Sequence, residues 1–273
     1  MADQVTAPES EEPKSYAEIL QQEIEGGLRE LHRPAGGLLT SGLSAGLDLG
    51  FSVLLMAVML TLVEGQLPPP IERILIANMY AVGFIFVIIG RSELFTEHTT
   101  LAVLPVLDGR ASMGRLGRLG GLVYTSNVVG ATVFAALAAT IGPALGVARS
   151  GAFVEIGRGL VEHEAWVIVA SAVLAGWLMG LMSWLVAAGR DTISQIFVVW
   201  LIATSIGLAH LHHSIAGTVE VLAAVFSGPE VGWIDFGRFL VWTTIGNAGG
   251  GVIFVALIKY GHVKQGGQDD QDG

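Results

Sequence analysis

Apolar residues run along this chain in six long stretches, near residues 37–63, 74–107, 119–146, 165–188, 193–226 and 236–260. Each is close to or beyond the roughly 20 residues that a helix needs to cross a bilayer. The second and the fifth are too long for one helix, and a polar cluster interrupts each. These clusters are Arg91-Ser92-Glu93-Leu94-Phe95-Thr96-Glu97-His98 and His210-Leu211-His212-His213-Ser214. Hydrocarbon neither hydrogen-bonds a freed backbone nor solvates a charge, so such breaks persist only where protein or a water-filled path surrounds them. The pattern predicts an all-α integral membrane protein of six spans. Spans two and five each read as two half-helices meeting at the polar cluster, with Leu101–Leu107 and Ile215–Phe226 as the short second halves.

Ahead of the first span, Ser15 and Glu18 form a capping box, and Tyr16, Ile19, Leu20, Ile24, Leu28 and Leu31 make one apolar stripe at helical spacing. Residues 15–31 therefore predict an amphipathic helix that lies on the membrane surface or against the bundle, with a partner-binding helix as the alternative. Gly26-Gly27 weakens it. The organisation expected is a cytoplasmic tail and amphipathic helix over residues 1–35, a six-span unit over 36–262 and an acidic tail over 263–273. With the N-terminus inside, Lys14, Arg29, Arg33, Arg110, Arg115, Arg118, Arg190, Lys259 and Lys264 fall on the cytoplasmic side, against Arg73, Arg149, Arg158 and Arg238 outside. Both termini are thus expected in the cytoplasm and the chain in the cytoplasmic membrane. The polar, acidic opening is unlike a secretory signal.

The halves echo one another. Ser44-Ala45-Gly46 in span one has a counterpart in Leu174-Ala175-Gly176 of span four, the break at Thr96 answers that at Ser214, and Asn127-x-x-Gly130 answers Asn247-x-x-Gly250. Three spans per copy turn the second copy upside down, which predicts an inverted repeat. Gly42, Gly46 and Gly50, then Gly176 and Gly180, then Gly246 and Gly250, set small residues four apart where helices approach closely, within a protomer or between subunits.

Composition agrees. Hydrophobic residues make up 52% and charged residues 14% of the chain, with a mean hydropathy of +0.63. The absence of cysteine excludes disulfides, thiolate metal sites and a cysteine nucleophile. The net charge of −10 sits partly in Glu9, Glu11, Glu12, Asp269, Asp270 and Asp272, and no basic face for nucleic acid is present. Paired breaks in corresponding halves point to the passage of a small polar solute.

At these residues the chain resembles the formate–nitrite transporter family. The matching pieces are Ser44-Ala45-Gly46, Glu93-Leu94-Phe95-Thr96, Tyr124-x-x-Asn127-x-x-Gly130, His213-Ser214-Ile215-Ala216 and Thr244-Ile245-Gly246-Asn247-x-x-Gly250-Gly251, spread over roughly residues 36–260. The resemblance implies an aquaporin-like protomer assembled as a homopentamer in the lipid bilayer, without a cofactor. Each subunit would then have one pore for a small monovalent weak-acid anion such as formate, nitrite or hydrosulfide. By match, His213 is the central pore histidine and Thr96 its hydrogen-bonding partner, beside Leu94 and Phe95. Asn127 and Asn247 support the loops, and Phe84 and Ile206 are the hydrophobic constrictions.

The residues alone support the same logic. Half-helix N-termini carry partial positive charge and free amide donors, which draw an anion, while an apolar constriction favours the protonated acid. Histidine is the side chain suited to proton exchange near neutral pH. The chain also departs from the family pattern. Leu160 stands where a vestibule lysine is usual, amid Arg158, Glu162, His163 and Glu164. Asp48 lies in span one at a cost of about 2.5–3.5 kcal/mol if unpaired, with His98 or His212 as the expected partner. His212 replaces an acidic residue, and Glu97 and His98 add ionisable groups to the first break. Together with Glu93 and His210, these positions are candidates for selectivity and leave open a cation-tolerant or ammonium-conducting pore. A membrane metalloenzyme using His210, His212 and His213 is a third reading. Against it, neighbouring histidines face different ways and no HExxH occurs. A non-conducting assembly or sensor protein would leave the helix breaks without a use.

Overall fold

The computed structural model describes residues 13–262. The acidic residues near each end of the chain and Lys264 lie outside that range. Ten α-helices follow in order: α1 (Tyr16–His32), α2 (Ala35–Val63), α3 (Pro69–Ile89), α4 (Phe95–Leu107), α5 (Met113–Ala144), α6 (Ser150–Val161), α7 (Ala165–Ala188), α8 (Thr192–Leu208), α9 (Ser214–Ser227) and α10 (Trp233–Gly251). A π-helical stretch, Val252–Lys259, continues α10. There is no strand among the described residues. Four of the helices, α2, α3, α5 and α7, are long and apolar enough to cross a membrane, while α8 and α9 are shorter apolar helices. Large apolar side chains on the surface, such as Val129, Val133 and Leu137 of α5 or Val241 and Ile245 of α10, suit a hydrocarbon solvent.

Capping explains several starts. Ser15 accepts a bond from the Glu18 amide while the Glu18 carboxylate accepts from the Ser15 amide, closing the box that begins α1. Asp191 and Ser112 cap α8 and α5 in the ordinary way. Both helices that follow the polar clusters begin earlier than the sequence pattern suggests. Helix α4 starts at Phe95 rather than Leu101, with Thr96, Glu97 and His98 in its first turn. Helix α9 starts at Ser214, and its N-cap is His213. Polar residues that would break a helix in lipid are held here by protein partners, so the helix extends through them.

Packing proceeds in pairs. Helix α2 lies along α5, and α10 lies along α7. A Cβ on Gly46 would collide with the Asn127 carbonyl, and one on Gly176 with the Asn247 carbonyl. The small-residue stripes therefore pack within one protomer. Helices α3 and α8 run side by side. The amphipathic helix α1 docks on α4, where Gly27 sits against the Leu101 carbonyl and the Pro105 ring, too close for any side chain. Lys14 also donates to the Ala187 carbonyl at 2.7 Å, tying the start of α1 to the end of α7.

Candidate functional site

Helices α4 and α9 begin deep inside the protein, and one asparagine organises each start. The Asn127 side-chain oxygen accepts from the Phe95 amide at 2.9 Å, while its nitrogen donates to the carbonyls of Glu93 at 2.8 Å and Gly42 at 2.7 Å. Asn247 accepts from the Ser214 amide at 2.7 Å and donates to the carbonyls of His212 at 2.9 Å and Ala172 at 2.8 Å. Both asparagines are fully buried. In the middle of an apolar bundle, these bonds satisfy backbone groups that would otherwise be orphaned at the chain breaks.

The first turns of α4 and α9 meet through side chains. His213 Nε2 and Thr96 Oγ1 lie 2.8 Å apart, with His213 1% exposed. The other ring nitrogen, Nδ1, accepts from the Ala216 amide at 3.2 Å, which makes His213 the cap of α9. An accepting Nδ1 has no proton, so the neutral ring carries its hydrogen on Nε2 and donates it to Thr96. The Thr96 hydroxyl keeps its own hydrogen for another acceptor. Phe84 stands edge-on to the His213 ring at 5.2 Å, and Tyr80 lies against Phe84 at 5.1 Å. Ile206 is buried near them.

Two cavities open at opposite ends of the α3–α8 pair. One, of about 220 Å³, is lined from α3 by Glu72, Arg73 and Tyr80, from α6 by Glu155, Gly159 and Leu160, and by Ile206, His210 and Glu220. The other, of about 520 Å³, is lined by Glu23, Arg29, Glu30 and Arg33 of the α1 region, by Arg91, Ser92, Glu93, Glu97 and His98, and by Ser183. Inside it Arg33 pairs with Glu93 and with Glu30, and His98 Nε2 sits 2.7 Å from the Glu93 carboxylate. The start of α4 is thereby linked to the N-terminal helix. Buried Glu23 accepts from the Ser183 hydroxyl at 2.9 Å, and burial pushes its carboxyl up to about 7 despite that bond.

The remaining candidate residues fall in varied places. Asp48 does not pair with a histidine: it accepts from Ser44 at 3.1 Å and, at a long 3.5 Å, from Ser92, while His98 is taken up by Glu93 and His212 by Ser171 and the Leu160 carbonyl. His212 is tied at both nitrogens, to Ser171 at 2.8 Å and to the Leu160 carbonyl at 3.0 Å. Neither that ring nor His213 has a free lone pair for a metal, and no group of three or more His, Cys, Asp or Glu side chains among the described residues could hold one. His210 is exposed, with a left-handed backbone at φ 50°. Leu160, 4% exposed, packs with Val221, Ala224, Val231 and Phe239. Glu162 is exposed, pairs with Arg158 and lines neither cavity. Leu94 and Phe95 are buried at the start of α4, Phe95 edge-on to Tyr124 at 4.9 Å. Tyr80 and Glu220, which the sequence motifs do not single out, emerge only from the cavity lining; a glutamate inside an apolar run was the available signal.

The profile of the formate/nitrite transporter family matches residues 17–261. Inner membrane protein YfdC of Escherichia coli (strain K12) is 37% identical over 244 residues, which span 87% of this chain and 76% of that protein. Among solved structures, an FNT family ion channel superposes with a TM-score of 0.80 at 23% identity, covering 89% of this chain and 98% of that one. A pentameric formate channel with formate bound superposes with a TM-score of 0.69 at 22% identity, covering 83% and 96%. Both structures share the fold.

Proposed function

The chain belongs to the formate/nitrite transporter family, a family of membrane transporters and channels rather than enzymes, and from that premise we propose that it conducts a small monovalent weak acid through each protomer. The path runs from the Tyr80 cavity past Phe84 and Ile206 to the His213–Thr96 pair, then into the cavity lined by Arg33. The observation that carries this reading is the contact between His213 and Thr96, which joins the N-terminal turns of two helices inside an apolar bundle. Those turns direct partial positive charge to one point and attract an anion. Phe84 and Ile206 make the charged form costly next to it, so the solute crosses as the neutral acid, with Thr96 donating to it and His213 orienting Thr96.

In this reading α3 with α4 and α8 with α9 each make one broken crossing, giving six crossings in an inverted repeat. The matching bond sets of Asn127 and Asn247 support the repeat. Five copies assemble, on the likeness to the pentameric formate channel. Both termini face the cytoplasm by the lysine and arginine balance, which makes the Tyr80 cavity the outer vestibule. The solute class, formate, nitrite or hydrosulfide, follows the family. A cation-tolerant pore is the second reading, favoured by the acidic lining of the Tyr80 cavity, where Glu72, Glu155 and Glu220 outnumber Arg73.

Flux into proteoliposomes, measured with formate, nitrite, hydrosulfide, ammonium and potassium over a range of external pH, tests the proposal. Formate or nitrite uptake that rises as external pH falls is expected, since acid raises the neutral fraction. Ammonium or potassium flux without any weak-acid flux would establish the cation pore instead.

A further inference from the structure

Glu220 lies on α9, two turns beyond the His213–Thr96 contact, among Ile215, Ala216, Gly217, Val219, Val221 and Leu222, with Thr218 beside them satisfied by the Ser214 carbonyl. It is 6% exposed, and its carboxyl has no hydrogen bond or ion pair among the described residues. The little surface it keeps lines the outer vestibule. Across that vestibule stands Tyr80, 3% exposed, whose hydroxyl is buried and also without a partner. The two groups are within electrostatic reach of each other. Native proteins seldom bury two polar groups in the wall of one cavity and leave both unsatisfied, so a pair that faces one cavity just above a constriction marks a place where something passing through completes the bonding.

We propose that Glu220 and Tyr80 form an outer solute site that accepts a small weak acid in its neutral, hydrogen-bonding form and turns away its anion. The inference rests on the weak-acid reading above and deepens it. Tyr80 Oη–H donates to an oxygen of the solute, and the acidic hydrogen of the solute is donated to the Glu220 carboxylate. Without that hydrogen the solute brings a second negative charge against Glu220 in a partly desolvated space. The surroundings do not neutralise this charge. Helix α3 brings Glu72 and Arg73 to the same vestibule, α6 brings Glu155, and the segment before α9 brings His210, while α2 contributes only Met56 and Leu60. Glu155 is already shared with Arg149 at 3.3 Å. Helices α5 and α10 pack apolar residues such as Phe134 and Phe239 against α9 and, among the described residues, bring no charged group to the vestibule lining. When external pH falls, the proton that neutralises either the solute or Glu220 comes from outside water through the open mouth.

The test is labelled formate uptake into proteoliposomes through the parent and through Glu220→Gln, across a range of external pH. Glutamine keeps the size and the hydrogen bonding but removes the charge. Uptake at alkaline external pH, where the Glu220 carboxyl is ionised, is expected to rise about ten-fold in Glu220→Gln, a share of the repulsion between two unit charges in a confined space. The gain should vanish at acidic pH, flattening the profile. Misfolding does not produce a gain. Tyr80→Phe is the independent arm: it should raise the half-saturating formate concentration several-fold while keeping the parental pH slope. A parent that conducts formate with a profile unchanged in both variants overturns this site and leaves the weak-acid reading intact. A parent that passes no weak acid, or ammonium flux that disappears in Glu220→Gln, overturns both.

Discussion

Asn127 and Asn247 make the same three bonds in two different places. Each accepts from the amide at the start of a buried helix, donates to a carbonyl of the segment just before it, and donates again to a carbonyl of a neighbouring long helix. Each also packs its own backbone onto a glycine of that neighbouring helix, Gly46 or Gly176. One side chain thus fixes a helix start, closes the chain break and sets the distance between two helices. Replacing either asparagine with leucine leaves two buried backbone groups at the chain break without partners, the Phe95 amide and Glu93 carbonyl or the Ser214 amide and His212 carbonyl, at about 1–3 kcal/mol each. Both variants should lose assembled protein in detergent, measured by size-exclusion yield and thermal unfolding. Gly46→Ala and Gly176→Ala should show a milder loss, about 1–3 kcal/mol from overpacking.

The docking of α1 is expected to depend on pH. Burial raises the Glu23 carboxyl from 4.5 to about 7 while α1 is docked. A raised acid favours the docked state fully below the ordinary carboxylate value, and that advantage is lost as pH rises through the window from 4.5 to about 7. The difference amounts to about 3 kcal/mol. Amide exchange of α1, corrected for the intrinsic effect of pH, should accelerate across this window in the parent. In Glu23→Gln it should stay flat, because glutamine still accepts from Ser183. Equal acceleration in both proteins would remove Glu23 from the account.

The missing vestibule lysine suggests a gain of function, but its site differs from the one the sequence marks. Leu160 is buried in an apolar cluster, and its carbonyl holds His212, so a lysine there would bury its charge. Gly159 is exposed, lines the same vestibule and has nothing within 4 Å of an added Cβ. Gly159→Lys should raise formate uptake several-fold at low ionic strength and by less at high salt, where exposed charges are screened. Equal gains at both ionic strengths would show that attraction at a distance is not the cause.

Much of this arrangement was legible in the sequence. Hydropathy marks the long helices, the Ser15–Glu18 spacing marks the start of α1, and the recurrence of Asn-x-x-Gly picks out both asparagines. The reach of α4 was less visible, because Thr96, Glu97 and His98 look like helix breakers in lipid until their protein partners are known. Arg33 reads as a topological charge, yet it pairs with Glu93 sixty residues away. Glu220 and Tyr80 lie within apolar runs without a motif, and only the shape of the vestibule brings them together. Pairings between distant segments depend on tertiary packing, which periodicity does not encode.

The central claim is that a solute passes the point where His213 meets Thr96. Its most direct test is weak-acid flux through His213→Phe, in liposomes holding protein whose oligomeric state matches the parent by native mass. Phenylalanine removes the polar ring nitrogens and puts a larger apolar ring against Phe84. Flux should fall about ten-fold or more while assembly is kept. A correctly assembled His213→Phe that conducts formate and nitrite at the parental rate would contradict the account.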